Sequence, residues 1–230
     1  MDIPAPVVGI LGAGKAGTAI ARLSLQAGHD VRLSRAGSID ELRLMIGFVA
    51  PGAAPVTPAH AVSSADLVVL ALPLARYREL PIAALAGRVV IDAMNYWPAV
   101  DGRLPEFEGS LSSSEVIQAR LSDSRVVKTL NHVGYAELEE DARPVGDGDR
   151  RGMALAGDDA AARALVSRYV DTLGYDPIDL GALGHGRLLQ PGTEYFGRSF
   201  DSAEVPRPSA AGSASAILNT SIPSGLSRKS

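Results

Sequence analysis

The sequence predicts an α/β fold built on a doubly wound, mostly parallel sheet, and three features predict it. Short apolar runs recur at residues 7–11, 67–72 and 88–93. Such runs suit strands buried on both faces, because helices cover both sides of a parallel sheet. Helical stretches alternate with the runs, the order that makes crossover connections. A glycine-rich turn, Gly12-Ala13-Gly14-Lys15-Ala16-Gly17, joins the first run to the first helix.

Each element has its own signal. Val7-Val8-Gly9-Ile10-Leu11 is the first strand. Residues 17–26 form a helix that Gly28 closes, at a position tolerant of a left-handed backbone. Residues 30–34 are the second strand. Ser38-Ile39-Asp40-Glu41 fits a capping box, with Ser38 as N-cap and Glu41 three residues on, and opens a helix to about Phe48. Residues 51–58 are a loop with room for a short edge strand. Strands at 67–72 and 88–93 follow. Ser112 starts a second S-x-x-E pattern ahead of a helix at 115–121, and residues 125–130 are a sixth strand. Further on, 152–156 read as a strand with an antiparallel sense open to it. Asp158 reads as the cap of a helix to Thr172, stopped by Gly174, and 176–180 as a last strand. The division expected is a Rossmann-type dinucleotide-binding domain at 1–135 and a small α/β extension at 136–200 that completes the substrate crevice. Residues 201–230, rich in Ser, Ala and Pro, are expected to be a disordered tail.

Composition excludes several classes of function. The 230 residues are 46% hydrophobic and 21% charged, enough to bury a core without staples. There is no cysteine, which removes disulfides, thiolate metal sites and thiol nucleophiles. The four histidines, at 29, 60, 132 and 185, lack ligand spacing, so no metal site is read. A net charge of −4 argues against nucleic acid as a partner. The most apolar run, 67–75, falls far short of the ~20 residues needed to span a membrane. Met1-Asp2-Ile3-Pro4 carries no basic leader, so the expected location is cytoplasmic.

Gly12, Gly14 and Gly17 make a G-x-G-x-x-G pattern between a strand and a helix, the context that gives it meaning. Gly12 allows the tight turn, Gly14 lets a pyrophosphate approach the backbone, and Gly17 lets helix and strand pack. Ala13, Lys15 and Ala16 complete the turn, and the helix N-terminus offers amides to phosphate. An NAD site places Asp or Glu about 20 residues after the motif begins. Here that stretch is Arg32-Leu33-Ser34-Arg35-Ala36-Gly37-Ser38, with no carboxylate. Ser34, Arg35 and Ser38 can hold a 2′-phosphate that a carboxylate would repel, so the cofactor expected is NADP(H).

The motif and the later stretches together resemble the NADP oxidoreductases that depend on coenzyme F420. The ferric reductase domain of the six-transmembrane epithelial antigen proteins falls in the same wider group. The stretches are 9–17, Leu33-Ser34-Arg35, Ala71-Leu72-Pro73, Ile91-Asp92-Ala93-Met94-Asn95, Val126-Val127-Lys128-Thr129-Leu130-Asn131, Ala156-Gly157-Asp158-Asp159, Leu173-Gly174-Tyr175-Asp176-Pro177 and 186–192. The resemblance implies direct hydride passage between nicotinamide and a deazaflavin. It also places Ser34, Arg35 and Ser38 on the 2′-phosphate, and Leu72 and Pro73 beside the nicotinamide ribose. Asn95 and Asn131 would line the crevice of the second ring. A homodimer is a further expectation of the resemblance. Three segments depart from the family: Tyr96-Trp97-Pro98, His132-Val133-Gly134-Tyr135 and Gly192-Thr193-Glu194-Tyr195-Phe196-Gly197.

Direct hydride transfer needs two rings held face to face and water kept out, and little from side chains. The leading expectation is therefore an NADP(H)-dependent oxidoreductase acting on a small-molecule redox substrate, with coenzyme F420 or a flavin as the second ring. A carbonyl or imine substrate would need a proton donor instead, for which His132 is first, then Lys128 and Tyr96. A non-catalytic NADP(H)-sensing module is the rival from another class.

Overall fold

Four successive buried residues, Val8–Leu11, make β1, the strand around which the sheet is organised. The computed structural model describes residues 5–197 and 200; the expected tail at 201–230 lies outside the described residues. After β1 come α1 (Lys15–Gln26), β2 (Val31–Ser34), α2 (Ile39–Val49) and the two-residue edge strand β3 (Ala54–Pro55). Next are α3 (Pro58–Ser63), β4 (Leu67–Leu70), α4 (Ile82–Leu85), β5 (Val89–Asp92), α5 (Pro98–Asp101), α6 (Ser113–Arg120) and β6 (Arg125–Lys128). The last elements are α7 (Glu137–Glu140), β7 (Gly152–Gly157), α8 (Ala160–Thr172) and β8 (Asp176–Asp179).

The eight strands lie in the order β3-β2-β1-β4-β5-β6-β7-β8. Val8 pairs with Val31 on one side and with Leu67 on the other, both parallel. The antiparallel pairing is β6 with β7, and β8 again runs parallel to β7. This is a Rossmann-type α/β sheet. The apolar runs are continuous because each face meets its own layer. Ile10, Leu33, Val69, Ile91 and Val127 pack under α1, α2 and α8. Leu11, Val68, Leu70, Val90 and Val126 face α3 and α6. Met153 and Leu155 of β7 belong to the first of these cores, with Val166, Tyr169 and Tyr175. Residues 152–179 therefore continue one sheet and one core.

The caps show where side-chain chemistry set the boundaries. Ser112 and Glu115 form the complete reciprocal box at α6. Ser38 caps α2 by accepting from the Asp40 and Glu41 amides, but Glu41 turns away from the box and pairs with Arg35. The cap of α8 is Asp159, whose Oδ1 accepts from the Ala162 amide at 2.7 Å. Asp158, expected in that role, instead accepts from the Leu183 amide at 2.9 Å and tethers a later segment. The acidic stretch Glu137–Glu140 forms α7, with Leu138 buried and Glu139 paired with Arg22 of α1.

One shared core makes a test. Leu155→Ala should destabilise the whole described fold by about 2–5 kcal/mol, the cost of a buried cavity, in a single denaturant transition. Two separate transitions would show that residues 136–189 fold as a unit apart.

Candidate functional site

The glycine turn is shaped by contact at two positions and left bare at a third. Gly12 has φ of 124°, and a Cβ there would stand 2.2 Å from the Ala71 carbonyl oxygen. At Gly17 a Cβ would stand 1.9 Å from the Gly12 carbonyl oxygen, so α1 packs against the turn only because Gly17 has no side chain. At Gly14 a Cβ would meet nothing within 4 Å. The protein's own packing does not require a glycine there, and the bare backbone leaves room for a ligand to approach. Gly14 is also the N-cap of α1, which has no side-chain cap and no acidic residue in its first turn. The first amides of the helix, at its positive dipole end, are thus available to an anion.

A cavity of about 410 Å³ opens at this turn, lined by Gly12, Ala13, Gly14, Ser34, Arg35, Leu72 and Pro73 among others. Seven expected cofactor residues thus meet in one place. Arg35, Arg76 and Glu79 are the charged residues of this lining, and Arg76 and Glu79 pair with each other. One guanidinium nitrogen of Arg35 lies 3.2 Å from Glu41 Oε2, and its Nε is buried with no hydrogen-bond partner among the described residues. The other two expected phosphate ligands stand differently. Ser34 is fully buried and donates to the Ile10 carbonyl at 3.1 Å, so its proton is already engaged. Ser38 is exposed, caps α2 and is not part of the lining. Lys15 and Gly17 also lie outside the lining; Lys15 Nζ sits 5.3 Å from the centre of the Tyr135 ring and donates to its hydroxyl at 3.3 Å.

A second cavity, about 420 Å³, lies past the turn, between Ala16 and the ends of β5 and β6. Asn95 and Asn131 line it and clasp each other. Asn95 Nδ2 donates to the Asn131 carbonyl at 2.8 Å, and Asn131 Nδ2 donates to Asn95 Oδ1 at 2.9 Å. Leu130 between the strand and this pair has φ of 62°, a conformation that costs a bulky residue roughly 1–3 kcal/mol. Aromatic rings contribute to the lining: Tyr135, Trp97 and Phe196, the last two edge to face with centroids 5.4 Å apart. Trp97 and Tyr135 remain exposed.

The proton donors expected from the sequence are placed against that role. His132 is among the residues around the second cavity, yet its side chain is completely buried, stacked on Phe200, and its Nε2 accepts from the Ala154 amide at 3.4 Å. Burial, helped by the Lys128 ammonium, pushes its pKa down to about 3, so the ring is neutral near pH 7. Lys128 is equally buried, on Asp92 and the Met94 carbonyl, and burial lowers its pKa against the pull of the carboxylate. Tyr96 is absent from the lining of the second cavity. Its hydroxyl accepts from the Leu104 amide at 2.8 Å and lies 3.2 Å from Glu108. Among the described residues no cluster of three His, Asp or Glu could hold a metal, and no helix is long and apolar enough to cross a membrane. Leu130 and the Arg35–Glu41 pair escaped sequence reasoning. A positive φ at leucine has no residue signal, and a capping glutamate gives no sign that it will turn outward.

Known proteins match this geometry. The family model for NADP oxidoreductases, coenzyme F420-dependent, matches residues 7–96, which bears out the resemblance drawn from the sequence. The chain is 31% identical over 189 residues to the metalloreductase STEAP3 of Rattus norvegicus, a match covering 81% of this chain. The chain spans 36% of that curated relative's length. A hypothetical protein of Sinorhizobium meliloti, SMa0349, superposes with a TM-score of 0.73 at 26% identity, over 84% of this chain and 94% of that one. An Arthrobacter sp. fb24 protein provisionally named an F420-dependent NADP-reductase superposes with a TM-score of 0.66 at 25% identity, over 85% and 99%. The class is that of NADP-dependent oxidoreductases with a Rossmann-type sheet.

Two measurements probe the site directly. Gly14→Val should keep the wild-type melting temperature yet weaken dinucleotide binding by about tenfold or more, because the side chain would occupy the pyrophosphate's approach; unchanged binding would show that no ligand passes there. His132 protonates more readily in the unfolded chain, near its ordinary value of 6.5. Stability from the neutral ring is full above that pH and lost progressively as pH falls toward 3. His132→Gln should flatten the stability profile in that window, read from urea midpoints, and an unaltered slope would place the ring in water.

Proposed function

We propose that this chain binds NADP(H) with the 2′-phosphate on Arg35 and the pyrophosphate on the glycine turn, and exchanges hydride with a flat deazaflavin or flavin ring in the second cavity. The observation that carries the reading is the pair of cavities on either side of one turn. The first presents Arg35, the α1 amides and the mutually paired Arg76 and Glu79, and the second presents side-chain amides and aromatic rings with Glu137 at its lining. The residues fit the cofactor: Gly14 leaves its approach open, and Arg35 Nε is buried without a partner among the described residues.

When bound, NADPH supplies a hydride from its nicotinamide. The chain's part is to place that ring and keep water from it. Leu72 and Pro73 wall the ribose, while Asn95 and Asn131 hold the crevice floor. Trp97, Tyr135 and Phe196 offer ring faces and edges to a planar acceptor. Transfer between two aligned rings needs no protein acid. That agrees with a crevice where His132 is buried and neutral and the Tyr96 hydroxyl is engaged elsewhere.

Arg35→Ala should weaken NADPH by about 1–3 kcal/mol more than NADH, the worth of a charged phosphate contact, measured by titration calorimetry. Equal losses would put the phosphate elsewhere. NADPH oxidation should be fast with coenzyme F420 or a free flavin and slow with neither present; binding without turnover on either ring would overturn the acceptor.

A further inference from the structure

We propose that the buried Lys128–Asp92 ion pair is a positioning device: it fixes the Asn95–Asn131 couple and so governs how the nicotinamide half of the dinucleotide is held. This rests on the functional reading above. Both side chains are fully buried, with Lys128 Nζ 3.4 Å from Asp92 Oδ2. Taking two charges out of water is costly, and a well-packed apolar pair is often as stable or more so. Stability therefore gives no account of why a lysine and an aspartate stand in the middle of the sheet.

The contacts of the pair do give one. Asp92 Oδ1 accepts from the Met94 amide at 3.0 Å, and Lys128 Nζ donates to the Met94 carbonyl. The residue before Asn95 is thus held at both its N–H and its C=O. Ser114, in the first turn of α6, donates to Asp92 Oδ2 at 2.6 Å and fixes the carboxylate. Asn131 is three residues beyond Lys128 on the strand's exit, and its Nδ2 also donates to the Leu189 carbonyl at 2.6 Å. Leu189 ends the 3₁₀ stretch Leu183–Leu189, in which a Cβ on Gly186 would stand 3.1 Å from the Lys128 stem. The end of β5, the end of β6 and this closing stretch all converge on the Lys128 side chain, the first at its ammonium and the last at its stem.

Asn95 and Asn131 line the second cavity, into which the nicotinamide ring must reach from its ribose at Leu72 and Pro73 to face an acceptor, whereas Arg35 lines the first. Disturbing the ion pair should then be felt by the nicotinamide half of the ligand and not by the adenosine half. A residue that merely supports the fold would weaken both.

The test uses the full chain with Lys128→Met and with Lys128→Met combined with Asp92→Asn, which avoids a lone buried carboxylate. Ser114→Ala is a milder third variant should the others fail to fold. Calorimetry compares NADPH with 2′-phospho-ADP-ribose, which lacks nicotinamide, and melting temperatures are recorded alongside. The fragment's Kd should stay within about threefold of wild type, while the advantage of NADPH over the fragment falls about tenfold or more, as for loss of one or two hydrogen bonds. Equal weakening of both ligands, an unchanged advantage, or a wild type that binds fragment and NADPH alike would overturn the proposal. A wild type that binds neither ligand would overturn the dinucleotide reading itself, and this inference with it.

Discussion

The site depends on one constraint: a parallel sheet must be covered on both faces, and the winding reverses between β1 and β4. From β1 the chain passes through α1 to β2 on one side, and β4 takes the other edge of β1. The helices that cover the two faces therefore part at the carboxyl ends of these strands, where a crevice is left. Gly12 and Gly17 let α1 close on that point without filling it. The cavity, the free helix amides and the approach of Arg35 all follow from this reversal.

The two halves of the crevice differ in electrostatic character, and the difference comes from which elements reach them. On the β2 side stand the N-terminus of α1 and a guanidinium whose Nε has no partner among the described residues. On the β5 and β6 side Lys128 and Asp92 have been drawn inward, while Glu137 stays at the lining. Lys128 and Asp92 neutralise each other below the surface, and burial keeps His132 uncharged. What remains at the lining, beside the Glu137 carboxylate, is two amides and a set of rings, which suit a planar group.

The later part of the chain is bound into the site through hydrogen bonds and not only through packing. Thr129 donates to the Ala154 carbonyl, Asn131 to Leu189, and the Gly197 amide to the His132 carbonyl. The turn after β6 is thus held from two sides, which keeps Leu130 in its strained conformation. Strain persists only where the surroundings over-determine it, and here β7 and the Leu183–Leu189 stretch do so.

Read alone, the sequence determined the strand runs, the glycine turn and the Ser34–Arg35 stretch that reaches the first cavity, while leaving the sense of β7 open. These are local signals, set by periodicity, by φ-tolerant glycines and by side chains that cap their own helix. It also carried Asn95 and Asn131 through family resemblance. Tertiary structure alone decided the rest. It gave Ser34 a carbonyl partner, turned Glu41 from a capping box to Arg35, and moved the α8 cap from Asp158 to Asp159. It buried His132 and Lys128, which a linear reading could only see as titratable residues after a strand. The reason is physical: protonation state and hydrogen-bond partners depend on burial and on groups brought from distant positions, and neither is encoded within a few residues of sequence.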